Sequence, residues 1–216
     1  MKILNLYSGI GGNRKLWGDQ HKITAVEYKP EIAQVYKDLF PNDNLIIGDA
    51  HQYLLDHYKE FDFIWSSPPC PSHSQLGLLR ALNEKNAATG QYSPYRYPDM
   101  SLYQEIILLQ TMFKGKYVVE NVVAYYEPLI KPIELQRHHF WTNFNIGKIS
   151  LSADNIEKGN IQEWQERLGY DLSMYKGLNK RLVLRNCVRP ELGLHILQEA
   201  GVKTEQPIVI KQESLL

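Results

Sequence analysis

The chain has 216 residues, 44% of them hydrophobic and 22% charged, and its 24 basic residues balance its 24 acidic residues. This length predicts one compact domain with at most a small appended piece, and the balanced charge means that any nucleic-acid contact must come from a local patch. The chain has no 18-residue apolar run and no leader pattern, so we expect a cytoplasmic protein without a membrane span. Its two cysteines, Cys70 and Cys187, are too few for a disulfide framework or a structural metal site.

Short apolar runs alternate with helical patterns through the first half of the chain. The runs predict strands near residues 3–7, 23–27, 45–49, 61–66 and 117–119. Helical patterns occupy residues 30–40, 52–58 and 101–113. This rhythm is typical of βαβ units, so we predict an α/β fold with a doubly wound, mostly parallel sheet.

Two stretches interrupt the rhythm. Residues 76–100 are rich in Asn, Gly, Tyr and Pro, which predicts a long lid or binding loop, and residues 145–180 are polar with one short helix near 161–168. Residues 138–144 predict a further strand or hairpin. The chain therefore divides into an α/β core over 1–144, a small region over 145–180 and a C-terminal segment over 181–216.

A glycine-rich turn follows the first strand. Ser8-Gly9-Ile10-Gly11-Gly12 is expected to open a helix, so that bare backbone and helix-start amides can approach a ligand. Such a turn is equally a plain structural device. The second strand ends in Glu27 and the third in Asp49; each alone is explained as a helix cap, but together they suit ribose hydroxyls and an adenine amino group.

A cysteine follows the fourth strand on a rigid loop. Pro68 and Pro69 fix the backbone before Cys70, which holds the thiol at the edge where ligands bind in α/β folds. Most unpaired cysteines are small buried hydrophobes, but this position favours a nucleophile. Glu120 ends the fifth strand and should lie near Cys70 as an acid, unless backbone amides satisfy it as a buried carboxylate.

Five segments, taken in order, resemble the cytosine-5 DNA methyltransferases that use S-adenosylmethionine. They are Leu6-Tyr7-Ser8-Gly9-Ile10-Gly11-Gly12, Pro68-Pro69-Cys70, Glu120-Asn121-Val122, Gln136-Arg137-His138-His139 and Arg185-Asn186-Cys187-Val188-Arg189-Pro190. The resemblance implies a Rossmann-like class I methyltransferase fold whose C-terminal segment returns to the cofactor pocket. It also implies that Cys70 adds to C6 of a flipped-out cytosine, that Glu120 holds N3, and that Arg137 and His139 occupy the family's arginine positions.

The resemblance also assigns binding residues. The expected S-adenosylmethionine contacts are Tyr7, Ser8, Gly9, Ile10, Gly11, Gly12, Glu27, Tyr28, Asp49, Ala50, Pro68, Asn186 and Val188. The expected partner is double-stranded DNA, in the nucleoid of a bacterial or phage-infected cell. Expected DNA contacts are the loop residues Ser72, His73, Ser74 and Gln75 and the basic residues Lys176, Lys180, Arg181 and Arg185, although such a basic run is often only a solvated face.

Three features depart from the family pattern. Pro71 follows the cysteine where the family has glutamine, and His139 stands at the second arginine position. Only about 40 residues separate Phe144 from the final motif, where the family carries a larger recognition region. Recognition then comes from a very short site, from the 76–100 loop, from a second copy of the chain or from a separate subunit.

Three other functions stay open at this point. An RNA-modifying relative would use the same chemistry on tRNA. A non-catalytic partner that binds S-adenosylmethionine would have a broken nucleophile or acid motif, and both are intact here. A nicotinamide-dinucleotide site would explain the glycine turn and Glu27 but would leave Cys70 without a role.

Overall fold

A seven-stranded sheet forms the centre of the protein. The computed structural model describes residues 1–83, 97–151 and 159–204. The strands are β1 (Lys2–Leu6), β2 (Lys22–Glu27), β3 (Asn44–Ile47), β4 (Phe63–Ser66), β5 (Lys116–Val122), β6 (Ile133–Leu135) and β7 (His138–Thr142). Their order is β3-β2-β1-β4-β5-β7-β6; the first five in sequence are parallel, and β7 is antiparallel to both β5 and β6. The predicted doubly wound, mostly parallel sheet is confirmed.

Seven α-helices accompany the strands in the described ranges. They are α1 (Pro30–Leu39), α2 (Ala50–His57), α3 (Gln75–Asn83), α4 (Ser101–Met112), α5 (Ile161–Leu168), α6 (Lys180–Arg185) and α7 (Pro190–Glu199). Among these described helices, none has the length and apolar character needed to cross a bilayer.

The two faces of the sheet pack against different helices because successive strand residues point to opposite sides. One face carries Leu4, Ile64 and Val119 and packs on α2 and α4. The other carries Ile3 and Phe63 and packs on α7. The strand order reverses between β1 and β4, which opens a crevice at the carboxyl ends of the strands, where ligands bind in this architecture.

Two local expectations were wrong. Residues 75–83 form α3 instead of loop: Ala81 is buried and Gly77 fits against the carbonyl of Pro71, where a Cβ would approach to 1.8 Å. The rest of the predicted binding loop, residues 84–96, lies outside the described residues. No regular helix follows the glycine turn; residues 12–16 form turns, and positive φ angles at Gly11 and Gly18 interrupt helical geometry.

The range 145–180 contributes to the core where it is described. Trp164, Leu168 and Tyr170 join Ile10 and Val35 in one hydrophobic cluster. A capping box starts α5, with Asn160 accepting from Glu163 N and the Glu163 side chain accepting from Asn160 N. The short helix predicted at 161–168 is present, and it packs against α6. Treating this range as a separate recognition region stays a proposal.

Candidate active site

The carboxyl ends of β1, β4 and β5 bring the predicted catalytic and cofactor segments together. The glycine turn follows β1, the Cys70 loop follows β4, and Glu120 lies near the end of β5. Asn121 Nδ2 donates to the Pro68 carbonyl over 3.0 Å, which ties the Cys70 loop to β5. The register of the parallel strands therefore sets the positions of both reactive groups.

Glu27 organises the glycine turn. Its Oε2 accepts from Gly9 N over 2.9 Å and its Oε1 accepts from Lys29 N over 3.0 Å, so one carboxylate joins the turns after β1 and β2. The turn uses left-handed backbone at Tyr7 and Gly9, both with φ of 55°. A left-handed backbone is sterically unfavourable for Tyr7 but not for Gly9, so contacts of the Tyr7 side chain must hold this conformation.

This region fits a nucleoside cofactor. A Cβ added at Gly9 would meet nothing within 4 Å, so open space lies beside the turn. The Ser8 hydroxyl is buried without a hydrogen-bond partner among the described residues, and the neighbouring Tyr28 is 72% exposed. An orphaned buried hydroxyl beside open space and an accessible aromatic ring provide the polar and stacking contacts that a nucleoside needs.

The C-terminal segment meets the glycine turn as expected. A Cβ at Gly12 would lie 2.5 Å from the Val188 carbonyl and 2.9 Å from Cys187 Cβ, so only glycine allows this close approach. Val188 is buried, whereas Asn186 is an exposed residue at the end of α6. The Ile10 side chain is buried in the cluster with α5, so Ile10 can contact a ligand only through its backbone.

Asp49 and Ala50 begin α2 at the end of β3. Asp49 is exposed and accepts from Gln52 N over 3.0 Å, which is the helix-cap role weighed above. Ala50 is buried below it. A capping carboxylate keeps a free oxygen, so the ribose or adenine role of Asp49 stays a prediction.

The surroundings of Cys70 disfavour the thiolate form of its side chain. Burial, and next the negative charge of Glu120, raise the pKa of Cys70 to about 11, while Arg185 acts in the opposite direction. Loss of the Glu120 charge or a closer approach of Arg185 would each lower this pKa, while burial, the larger cause, continues to raise it.

The Glu120→Gln variant tests this electrostatic arrangement. Removing the negative charge should lower the pKa of Cys70 and speed its alkylation by iodoacetamide at pH 8 about three- to tenfold, while any methyl transfer falls. Arg185→Ala should slow alkylation because it removes the positive charge. Mass spectrometry of the modified Cys70 peptide measures both rates, and slower alkylation in the Glu120 variant would contradict the arrangement.

His138 is the partner of Glu120. Its Nδ1 lies 2.6 Å from Glu120 Oε1, and both side chains are largely buried. The family resemblance put His139 at the second arginine position, but strand alternation turns its side chain to the other face from Glu120, where it packs on Trp141 and its Nε2 lies 3.7 Å from Glu134. This geometry does not support the catalytic role expected for His139, and His138 is the histidine that contacts Glu120.

Arg137 lies exposed in the two-residue turn between β6 and β7. Its carbonyl accepts from Val123 N over 3.4 Å, which holds the turn near the end of β5. Its contact with a cytosine stays a prediction.

Two of the expected DNA contacts in the Cys70 loop are structural. Ser72 is buried and accepts from Asp99 N, and His73 is buried with Nδ1 2.6 Å from the Tyr126 hydroxyl. Burial also lowers the pKa of His73, which favours the neutral ring. We correct these two assignments, because neither side chain reaches the surface. Ser74 is half-buried and accepts from Gly77 N, and Gln75 is exposed at the start of α3.

The basic residues of the C-terminal half lie at or near the surface. Lys176 and Arg185 are exposed, Lys180 is half-buried, and Arg181 lies over the Trp164 ring at 5.2 Å. Arg185 is close enough to Cys70 to affect the pKa of its thiol. The charge at one end of the basic run therefore acts on the nucleophile, and the phosphate contacts stay a prediction.

One site residue was missed from the sequence. Glu105 on α4 is fully buried below the glycine turn and receives a hydrogen bond from Tyr7. Its signal was a carboxylate placed at helical spacing between Leu102 and Leu109, in the stripe of α4 that faces the sheet.

A doubly wound sheet with a glycine turn after β1, an acid at the end of β2 and a rigid thiol loop after β4 defines a Rossmann-like methyltransferase. The model of the family C-5 cytosine-specific DNA methylase matches residues 1–122. The chain belongs to this family. Membership implies S-adenosylmethionine as the methyl donor, and the glycine turn, Ser8 and Glu27 offer contacts that suit it.

Similar proteins include methyltransferases with different substrates. The chain is 25% identical over 118 residues to the tRNA (cytosine(38)-C(5))-methyltransferase of Rattus norvegicus, covering 52% of this chain and 30% of that protein. It is 34% identical over 87 residues to the type II methyltransferase M.NgoPII of Neisseria gonorrhoeae, covering 39% and 26%. A solved DNMT2 variant from Spodoptera frugiperda shares 30% identity, with a TM-score of 0.37 over 56% of this chain and 35% of that one. The chain thus spans less than a third of the length of the curated relatives named here.

Glu27→Ala should weaken S-adenosylmethionine binding about 10- to 100-fold, because it removes two hydrogen bonds that shape the glycine turn and a predicted ribose acceptor. Isothermal titration calorimetry measures the affinity. Glu31→Ala is the matched control, since Glu31 is an exposed carboxylate in the first turn of α1. Unchanged affinity in the Glu27 variant would refute its cofactor role.

Proposed function

We propose that this protein transfers the methyl group of S-adenosylmethionine to C5 of cytosine in double-stranded DNA. The observation that carries the proposal is the placement of Cys70 beside Glu120 at the carboxyl edge of the sheet, next to the glycine turn. Membership of the C-5 cytosine-specific DNA methylase family supports this chemistry. The similarity to M.NgoPII supports DNA as the substrate.

Cys70 begins the reaction as the nucleophile. The thiol first loses its proton to solvent, and the thiolate sulfur then forms a bond to C6 of the cytosine while the C5–C6 π electrons shift and make C5 electron-rich. The rigid Pro68-Pro69 segment and the Asn121 hydrogen bond hold the thiol in place while this bond forms. The cofactor supplies an electrophilic sulfonium methyl to C5. Loss of the C5 proton to a base then expels the Cys70 thiolate and restores the double bond.

Glu120 exchanges a proton with N3 of the cytosine ring. In protonated form it donates to N3 as the sulfur adds, and it becomes a carboxylate when N3 takes the proton. An Nδ1–H of His138 would stabilise that carboxylate across the 2.6 Å contact. The proton returns from N3 to Glu120 when Cys70 leaves, so the acid is regenerated. The positive charge of Arg185 lowers the pKa of Cys70 and so favours the thiolate form.

Substrate access requires a displaced base. C6 and the N3 edge of cytosine are covered in a duplex, so the target nucleotide would rotate into the pocket. The exposed Lys176 and Arg185 are suited to phosphate contacts around such a nucleotide. We propose that recognition beyond this contact comes from a second copy of the chain or a recognition subunit, since few residues are available for it.

Methylation of tRNA is the second candidate function. It is favoured by the similarity to the tRNA (cytosine(38)-C(5))-methyltransferases of Rattus norvegicus and Spodoptera frugiperda, the latter 33% identical over 97 residues. A cytosine in an anticodon loop is already unpaired, so it would reach Cys70 without disruption of a duplex.

One experiment separates the two substrates. The protein is incubated with S-adenosylmethionine and either mixed-sequence duplex DNA or total tRNA, and 5-methylcytosine is mapped at base resolution in each. We expect methylation of DNA within a short shared sequence. Methylation of tRNA alone would establish the second candidate, and no product in either would refute independent activity.

A further inference from the structure

Glu105 is a fully buried carboxylate with three hydrogen-bond partners. The Tyr7 hydroxyl donates to Oε1 over 2.6 Å, His51 Nδ1 lies 2.9 Å from the same oxygen, and the Ser66 hydroxyl donates to Oε2 over 2.5 Å. An ionised carboxylate can only accept hydrogen bonds, and donors on both of its oxygens complement its negative charge. Burial of Tyr7, and next the charge of Glu105, raise the pKa of the Tyr7 hydroxyl, so it remains a donor.

The three donors come from the three segments that surround the cofactor region. Tyr7 begins the glycine turn, Ser66 ends β4 two residues before Pro68, and His51 lies two residues after Asp49. Glu105 itself has no exposed surface, so any effect on a ligand must pass through these partners or through its electric field. In the interior of a protein that field is screened far less than in water.

The reaction changes the charge of the cofactor. S-adenosylmethionine carries a positive sulfonium, whereas the product S-adenosylhomocysteine is a neutral thioether. We propose that Glu105 is a positioning residue which, acting through Tyr7, stabilises the cationic cofactor in the pocket more than it stabilises the neutral product. This inference rests on the cofactor of the proposed function but not on the nucleic acid that is methylated.

Ligand affinities test the preference without any turnover. Calorimetry on the full chain at pH 8 compares S-adenosylmethionine, S-adenosylhomocysteine and sinefungin, which carries an amine cation in place of the sulfonium. Glu105→Gln keeps the side-chain volume and should weaken both cationic ligands about tenfold and the neutral product at most about twofold. Tyr7→Phe keeps the ring. It should weaken the binding of the cationic ligands relative to that of the neutral product about threefold.

Glu60→Gln is the matched control, because Glu60 faces His57 at 2.8 Å in a similar pair at the exposed surface. It should leave all three affinities unchanged. Equal loss for S-adenosylmethionine and its product in both the Glu105 and Tyr7 variants would overturn the inference and leave Glu105 as a scaffold residue. If Glu105→Gln fails to fold, Tyr7→Phe decides the question. A selective loss of the cationic ligands in the Glu105 and Tyr7 variants would support the inference even if the wild-type protein methylates neither DNA nor tRNA, a result that would overturn only the proposed function.

Discussion

Replacing Cys70 with alanine is expected to abolish methyl transfer, with a loss of at least about 10³-fold, while S-adenosylmethionine affinity changes less than about twofold. The reason is that the carbon–sulfur bond to C6 supplies the electron density that C5 otherwise lacks. Cofactor binding is spared because the glycine turn and Glu27 hold their geometry through contacts that do not include the thiol. Transfer of a radiolabelled methyl group and calorimetry measure the two quantities.

Cys187→Ala is the control for loss of a thiol. Cys187 is buried in the cluster with Ile10, and burial raises the pKa of its thiol to about 12, so it is not a competing nucleophile. Its variant should keep activity within about threefold. A substrate containing 5-fluorocytosine should form a covalent adduct with the wild-type and Cys187 proteins but not with the Cys70 variant. Turnover by the Cys70 variant would exclude the nucleophile assignment.

The second large effect is expected at His138. His138→Phe should lower methyl transfer about 100-fold, because it leaves the buried Glu120 carboxyl group without its hydrogen-bond partner and removes the donor that stabilises the carboxylate form. His138→Arg supplies a donor again and should recover activity to within about tenfold of the wild type. The decrease should be in kcat more than in the KM for S-adenosylmethionine, since His138 contacts the acid and not the glycine turn.

His139→Phe separates the two neighbouring histidines. His139 is more buried than His138, and burial lowers the pKa of its ring, but its side chain lies on the face of β7 opposite to the face that meets Glu120. Its variant should retain activity within about threefold. A larger loss at position 139 than at position 138 would contradict the geometry described above.

The sequence predicted the elements whose pattern is local. Continuous apolar runs identified the parallel strands, and the residues at their ends, Glu27, Cys70 and Glu120, are at one edge because parallel strands share direction. The return of Val188 to Gly12 was implied by the family resemblance, and the structure shows the contact.

The sequence-based predictions failed where tertiary contacts determine the local structure or the partners of a side chain. A single residue of register separates His138 from His139, and a motif aligned without the strand pairing cannot tell which one faces Glu120. Residues 75–83 became α3 because Gly77 docks on Pro71, a contact that composition does not reveal. The role of Glu105 depends on donors from three distant segments, so its place in the helix was visible but its partners were not.

The contact between the glycine turn and the C-terminal segment has a consequence for biosynthesis. Trp17 Nε1 donates to the Gly193 carbonyl across 176 positions of sequence, and Gly12 packs on Val188 at a similar separation. A nascent chain therefore exposes the turn and its apolar neighbours from early translation until α7 leaves the ribosome. Such long-range closure slows folding and exposes the intermediate to aggregation. A ribosome-bound chain arrested before Pro190 should hold an unfinished pocket, even though all seven strands of the described sheet have been synthesised.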